Sequence, residues 1–417
     1  MTDLATGAAA ILGFDPFDPA FHADPYAQYR RLRADGPLLR TQADVWVATS
    51  HALCSQVLRD PRFGHRPGGE GGIFRTEGAA GDRRSFLAHD PPDHTRLRRL
   101  VSKAFTARLV ERLRPRISEL VDSLLAAVPG ETDLISALAW PIPVAIISEL
   151  LGVPAEDKSR FKSWSAALAR GLDPDFMLPP AEIAQREKAR DEFVDYFRAL
   201  ADRRRGRGNS PIGRGNENGG GNDLLSALVA VSDQGDMLTE AELLATCILL
   251  LVAGHETTVN LIGNGALALL RHPDQLAWFR AHPEAVAGAV EELLRYDPPV
   301  QLTARSALED LELNGHRMRR GQVILMLIGA ANRDPAVFPD PDRLDLTRVP
   351  ERHLSFGLGI HYCLGAPLAR LEGQIALSKL FQREVSQAGE VSYRDNLILR
   401  GLATLPVRVG ASLGAPR

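Results

Sequence analysis

The chain has 417 residues, 45% of them hydrophobic and 24% charged, with a formal net charge of −3. That is ordinary globular usage, which excludes a disordered or fibrous chain and gives no electrostatic footing for nucleic-acid binding. Its three cysteines have no paired spacing, which excludes a disulfide framework and suits a reducing cytosol.

Near the N-terminus the apolar patch Ala8–Leu12 stops at Gly13 and has no basic flank, so it does not read as a signal peptide. No segment reads as long enough to span a membrane, and a cytoplasmic chain is expected. A first strand-like piece is Val45–Val47. Further on, the turn Asp90-Pro91-Pro92 leads into a helix in which His94 and Arg98 share a face at i, i+4. Arg96 and Arg99 on that helix read as solvated. The stretch from Gly206 to Asn222 (GRGNSPIGRGNENGGGN) is too polar and glycine-rich to pack, so a flexible surface loop is expected there, not a domain linker.

A long helix follows. Thr239-x-x-Glu242 reads as its capping box, and the apolar pattern runs to Leu270 before Arg271-His272-Pro273 ends it. At 1.5 Å per residue that is roughly 45 Å. In its middle stands Ala253-Gly254-His255-Glu256-Thr257-Thr258, where an acid and two hydroxyls interrupt an apolar helix. Leu249, Ala253 and Thr257 recur at i, i+4, so one face carries apolar and small groups and then a hydroxyl. Taken alone, these residues equally fit a kinked core helix with a threonine bonded back to a carbonyl. Cys247 reads as a packed small hydrophobe.

Glu292 and Arg295 share the face of a later helix at i, i+3 and can pair, a weak signal by itself. Gln322–Met326 reads as a strand, then come Ala331-Asn332-Arg333-Asp334-Pro335 and Phe338-Pro339-Asp340-Pro341-Asp342-Arg343-Leu344. The most informative stretch is His353-Leu-Ser-Phe356-Gly357-Leu-Gly359-Ile-His361-Tyr-Cys363-Leu-Gly365. It puts one cysteine in a glycine-rich loop just before the helix Ala366–Ile375, where the helix dipole favours a negative sulfur. Gly357 and Gly359 open backbone conformations closed to other residues, and Phe356 can shield the sulfur from water. Thr404–Val409 closes the chain as a strand.

The pattern F-G-x-G-x-H-x-C-x-G resembles the haem-binding signature of the cytochrome P-450 monooxygenases, with six fixed positions matched. The resemblance extends from the Trp46 strand to the Pro406 strand and is nearest to the soluble bacterial members. It implies a mainly α fold with minor β, the triangular haem-thiolate fold, formed as one domain over residues 1–417. The implied cofactor is haem b, with Cys363 as axial iron ligand and Ala253, Phe356, Gly357, His361 and Gly365 around it. His94, Arg98, Arg305 and His361 would hold the two haem carboxylates, with His353 a lesser candidate. Glu256 and Thr257 would be the acid–alcohol pair of the oxygen groove, while His255 fills a variable position and is not expected to be catalytic. Glu292, Arg295 and Arg343 would form a structural triad, although Asp342 and Leu344 stand where the family often has Glu and Phe.

The activity implied is insertion of one oxygen atom of O2 into a hydrophobic small molecule, by hydroxylation or epoxidation. Candidate substrates are secondary metabolites, macrolides, terpenoids and fatty-acyl groups. By family position the pocket draws on Arg66–Ala88, Leu168–Ile183, Leu249, Ala253, Val300–Thr303 and Leu402-Ala403, mostly aliphatic. Electrons would come from a ferredoxin or flavodoxin and its NAD(P)H reductase, attracted by Arg99, Lys103, Arg108 and Arg370. A monomer without membrane or nucleic-acid partner is expected. Two rivals stay open: a peroxide-driven haem-thiolate enzyme, a branch that tends to replace the acid–Thr pair with Arg, and a haem binder that does not oxygenate.

Overall fold

The computed structural model describes residues 2–65, 84–128, 130–207, 223–233, 236–349 and 351–413. It is 58% helical with 13% strand, the mainly α composition expected. The chain divides into two compact units, each assembled from separate stretches. One comprises Met1–Phe74, Pro115–Ile142 and Thr257–Arg417; the other comprises Arg75–Arg114 and Pro143–Glu256.

The first unit carries a five-stranded sheet in the order Leu38–Arg40, Trp46–Ala48, Val323–Leu327, Leu302–Ala307, Phe63–Gly64. Val47 pairs antiparallel with Leu39 and parallel with Leu325, which pairs antiparallel with Ala304. The apolar run Val323–Leu327 is a central strand because β-branched and aliphatic residues on both faces are buried. The expected strands near 45–47 and 322–326 therefore form one residue later. The expected final strand breaks at Leu405, whose N–H goes to Asp133 Oδ1 at 2.8 Å. Leu402–Thr404 pairs with Ser392–Tyr393, and Pro406–Ser412 joins a different sheet with Arg383–Gln387 and Glu131–Asp133.

The long helix spans Glu240–Arg271. Its capping box is reciprocal: the Thr239 N–H donates to Glu242 at 2.8 Å and the Glu242 N–H to the Thr239 hydroxyl at 3.3 Å. Contrary to the sequence expectation, this helix is long and apolar enough to cross a bilayer by composition. Most of its apolar window is buried in protein, as in a core helix. In the first unit its glycines bring neighbours close: a Cβ on Gly263 would meet Ile135 at 2.8 Å, and one on Gly265 would meet Leu377 at 3.2 Å. In the second unit a Cβ on Gly254 would meet Ile147 at 3.2 Å.

Elsewhere in the second unit, Phe161 and Trp164 on helix Lys158–Arg170 stack with Phe193, Tyr196 and Phe197 on helix Pro180–Arg207. That second helix already includes Gly206 and Arg207, where the sequence predicted loop; residues 208–222 lie outside the described residues. Arg96 pairs with Asp236 at 3.2 Å and with Glu242, so it ties helix Asp93–Ala104 to the capping box instead of pointing into solvent.

Arg295 uses its whole guanidinium in hydrogen bonds. It is 2% exposed, pairs with Glu292 through two contacts of 2.6 and 2.7 Å, and donates to the carbonyls of Asn332, Pro341 and Arg343. Glu292 and Arg295 thus pair as expected, but Arg343 joins through its backbone, with its side chain exposed. The guanidinium that reaches Glu292 is that of Arg348, at 3.4 Å, further fixed to the Pro339 carbonyl at 2.7 Å. The structural triad is therefore Glu292, Arg295 and Arg348, five residues later than predicted. Arg348→Ala should destabilise the protein by about 1–3 kcal/mol, whereas Arg343→Ala should stay within about 0.5 kcal/mol of the parent in denaturant unfolding. Equal effects would return Arg343 to the triad.

Candidate active site

Cys363 sits in the loop before helix Ala366–Phe381, whose N-cap is Gly365. A Cβ on Gly365 would lie 3.9 Å from Cys363 Sγ, so the sulfur rests against the positive end of a 16-residue helix. The Cys363 N–H donates to the Phe356 carbonyl at 2.9 Å, and the Gly357 N–H to the Leu354 carbonyl at 2.8 Å. Gly357 and Gly359 adopt φ of 67° and 69°. At Gly359 a side chain is excluded twice, since a Cβ would lie 2.4 Å from the Leu58 carbonyl oxygen.

Only one of the three cysteines is suited to be a thiolate. Cys54 and Cys247 are buried, and burial pushes both thiols up, that of Cys247 to about 12. Cys363 is partly exposed. Behind it, Arg370 lies over the Phe356 ring at 4.4 Å and forms two contacts of 2.7 and 2.8 Å with Glu291. His353 completes the group: its Nδ1 accepts from the Ser355 N–H, so its Nε2 donates to Glu291 at 3.2 Å. His353 thus braces the loop between Ser355 and Glu291. Arg370, expected to face an acidic redox partner, is committed to Glu291. Sequence reasoning missed Glu291 and also Asn332, which donates to the Ser355 hydroxyl and accepts from the Leu354 N–H at 2.7 Å.

On the long helix the burial pattern separates two faces. Ala253 is exposed and Leu249, Gly254 and Thr257 are half-buried, while His255, Glu256 and Thr258 are buried. The i, i+4 row Leu249–Ala253–Thr257 is therefore an open face in an otherwise buried helix. Thr258, a quarter turn away, meets the fully buried Glu372, whose carboxyl is pushed well above its usual range by burial, with Thr258 opposing.

Of the expected carboxylate holders, His94 and Arg98 flank Phe86 in the second unit, with ring centroids 6.5 Å apart and the guanidinium 5.6 Å from the ring. In the first unit Arg305 is buried and bonds the Ala304 carbonyl at 2.7 Å, and His361 stands edge-on to His65 at 4.6 Å. His65 was not anticipated. Among the pocket candidates Val300 and Thr303 are half-buried like Leu249, but Leu402 is 1% exposed and packs towards Gly263, a core position. The part of the expected pocket loop at 66–83 lies outside the described residues.

The family model for cytochrome P-450 matches residues 40–408. The chain belongs to the cytochrome P-450 family. It is 44% identical to cytochrome P-450 monooxygenase PikC of Streptomyces venezuelae, over 97% of this chain and 95% of that protein. It is 40% identical to 6-deoxyerythronolide B hydroxylase of Saccharopolyspora erythraea, over 94% and 97%. The solved structure of the Bacillus subtilis polyketide synthase cytochrome P-450 PksS superposes with a TM-score of 0.83 at 39% identity, covering 95% of this chain and all of that one. This P-450 is a haem b monooxygenase, an oxidoreductase that inserts oxygen.

The residues present fit that cofactor. One partly exposed cysteine lies in a loop against a helix N-terminus, where a thiolate ligand would be favoured. Haem held by that sulfur would supply the oxygen-activating chemistry.

Two outcomes check this reading. Cys363→Ser should lose the red-shifted Soret band of the reduced CO complex, while Cys54→Ser and Cys247→Ser keep it; a normal band in Cys363→Ser would refute the ligand. Burial raises the Glu291 carboxyl, but the hydrogen bonds from Arg370 and His353 outweigh it and hold the pKa near 2, below the ordinary 4.5. Its stabilising share is therefore complete above pH 4.5 and lost as pH falls towards 2. Glu291→Gln should be less stable than the parent at pH 7, and the gap in melting temperature should narrow below pH 4.5. A gap that widens on acidification would contradict the assignment.

Proposed function

We propose that this P-450 hydroxylates or epoxidises a large apolar metabolite of polyketide type, using electrons from a ferredoxin or flavodoxin and its NAD(P)H reductase. The observation that carries the reading is the Glu256–Thr257 step on the long helix: a buried acid next to a hydroxyl on the open face. In this proposal Cys363 is the axial ligand and Phe356, Gly357, Gly365 and Ala253 lie around the ring. His94, Arg98, Arg305 and His361 hold its carboxylates. Leu249, Ala253, Val300 and Thr303 offer mostly aliphatic or small surface, which suits an apolar substrate. The name of the polyketide P-450 PksS supports the polyketide class.

Proton delivery follows from the chain's own groups. Glu256 holds an exchangeable proton out of bulk solvent, and the Thr257 hydroxyl both accepts and donates, so it can align a water for transfer. The retained acid–hydroxyl step disfavours both the peroxide-driven enzyme and the passive haem binder. Arg99, Lys103 and Arg108 remain the proposed contacts for an acidic electron donor in the cytoplasm, with rates falling as salt rises.

The test is Thr257→Ala, assayed with added ferredoxin and reductase. It should keep the CO spectrum and substrate-induced Soret shift but lose product by roughly tenfold, with electrons diverted to H2O2. Unchanged coupling of NAD(P)H to product would leave Thr257 a mere helix hydroxyl. Substrate class is decided by titrating polyketide lactones, terpenoids and fatty acids against the Soret band; a shift with fatty acids alone would overturn the polyketide choice.

A further inference from the structure

His255 lies at mid-helix, 1% exposed, beside Glu256 at 3%. Residues i and i+1 on a helix do not ordinarily face each other, yet His255 Nε2 is 3.2 Å from Glu256 Oε1. The ring is turned towards it because Nδ1 lies 2.6 Å from the Leu251 carbonyl oxygen, one turn back. A carbonyl oxygen only accepts, so Nδ1 carries a hydrogen. The contact at Nε2 then has two forms. Either a charged imidazolium donates to a carboxylate, or a carboxylic acid donates to a neutral imidazole. Both hold one shared proton and no net charge, which is what burial demands of an acid at this depth.

We propose that His255 is a positioning residue for proton delivery, fixing the Glu256 rotamer and keeping a transferable proton on the pair. This rests on the role given to Glu256 above. The ring is a reservoir and not a conduit, because Nδ1 faces a carbonyl that has no proton to pass on. When the proton leaves the Glu256 oxygen for an aligned water, that O–H bond breaks and one forms on the acceptor. A neutral imidazole is left beside a carboxylate until one proton from water restores the pair. No electrons move.

Three variants with the holoenzyme test this. His255→Gln should keep the CO spectrum and bind substrate within about twofold of the parent, yet form product roughly tenfold more slowly. Glu256→Gln should show the same defect, and the double variant should be no worse than Glu256→Gln alone, since both act at one step. Additive losses, or His255→Gln at parental rate beside an impaired Glu256→Gln, would overturn this inference only. A parental rate in Glu256→Gln would instead sink the proton-delivery reading beneath it. Independently of turnover, nitrogen NMR of isotope-labelled histidine in the ferrous CO complex should show one imidazole with Nδ1 protonated. The Nε2 signal of that ring should move in Glu256→Gln. A bare Nδ1, or an Nε2 indifferent to Glu256→Gln, would also refute the proposal.

Discussion

The fold of the cysteine loop hangs on one buried guanidinium. Arg295 has five N–H donors and uses all of them, two on Glu292 and three on the carbonyls of Asn332, Pro341 and Arg343. An arginine does not neutralise itself by losing a proton, so at 2% exposure each unmet donor is a direct cost. That requirement gathers three stretches distant in sequence around one point. From there Asn332 carries the constraint onward, through Ser355 and the Leu354 N–H, to the strand of loop that begins Phe356. The position of Cys363 is therefore set from behind, by carbonyls and amides, before any cofactor contact is counted.

The same rule, that buried charge is tolerated only when matched, explains the polar residues of the long helix. Glu256 lies against His255, and burial pushes the Glu372 carboxyl well above its usual range, with Thr258 opposing. These two buried carboxyls thus have different surroundings, one set against a base and the other against a hydroxyl. Thr258 consequently serves packing of the helix against Ala366–Phe381, and the two adjacent threonines are not equivalent, one half-buried on the open face and the other buried.

The sequence made the long helix, its capping box, the Glu292–Arg295 pair and the Cys363 loop legible, because each rests on local spacing. The strands at 46–48 and 323–327 were visible as apolar runs, displaced by a residue because pairing partners, not the run itself, set the ends. What stayed hidden depends on contacts distant in sequence. Arg343 and Arg348 are equally good arginines in one short segment, and only the path of the backbone decides that the later one meets Glu292. Leu402 looked like a pocket residue by position but is packed towards Gly263. His255 looked incidental because it fills a position that varies in the family. The Leu251 carbonyl that turns its ring is a backbone group, and no side-chain pattern announces it.

Arg370 shows how charge and availability part company. A basic residue on the cysteine helix invites the assignment of partner docking, yet its guanidinium is pinned by Glu291, bonded to the Tyr362 hydroxyl at 3.2 Å and stacked on Phe356. To meet an acidic partner it would have to give up two charge-assisted bonds already formed in a half-buried site. Its place is structural: it presses the Phe356 ring into the loop whose carbonyl holds the Cys363 N–H. A cation over an aromatic face is attracted to it more strongly where water is scarce, so ring, guanidinium and carboxylate stiffen one another. The loop that carries the sulfur is thereby braced from behind.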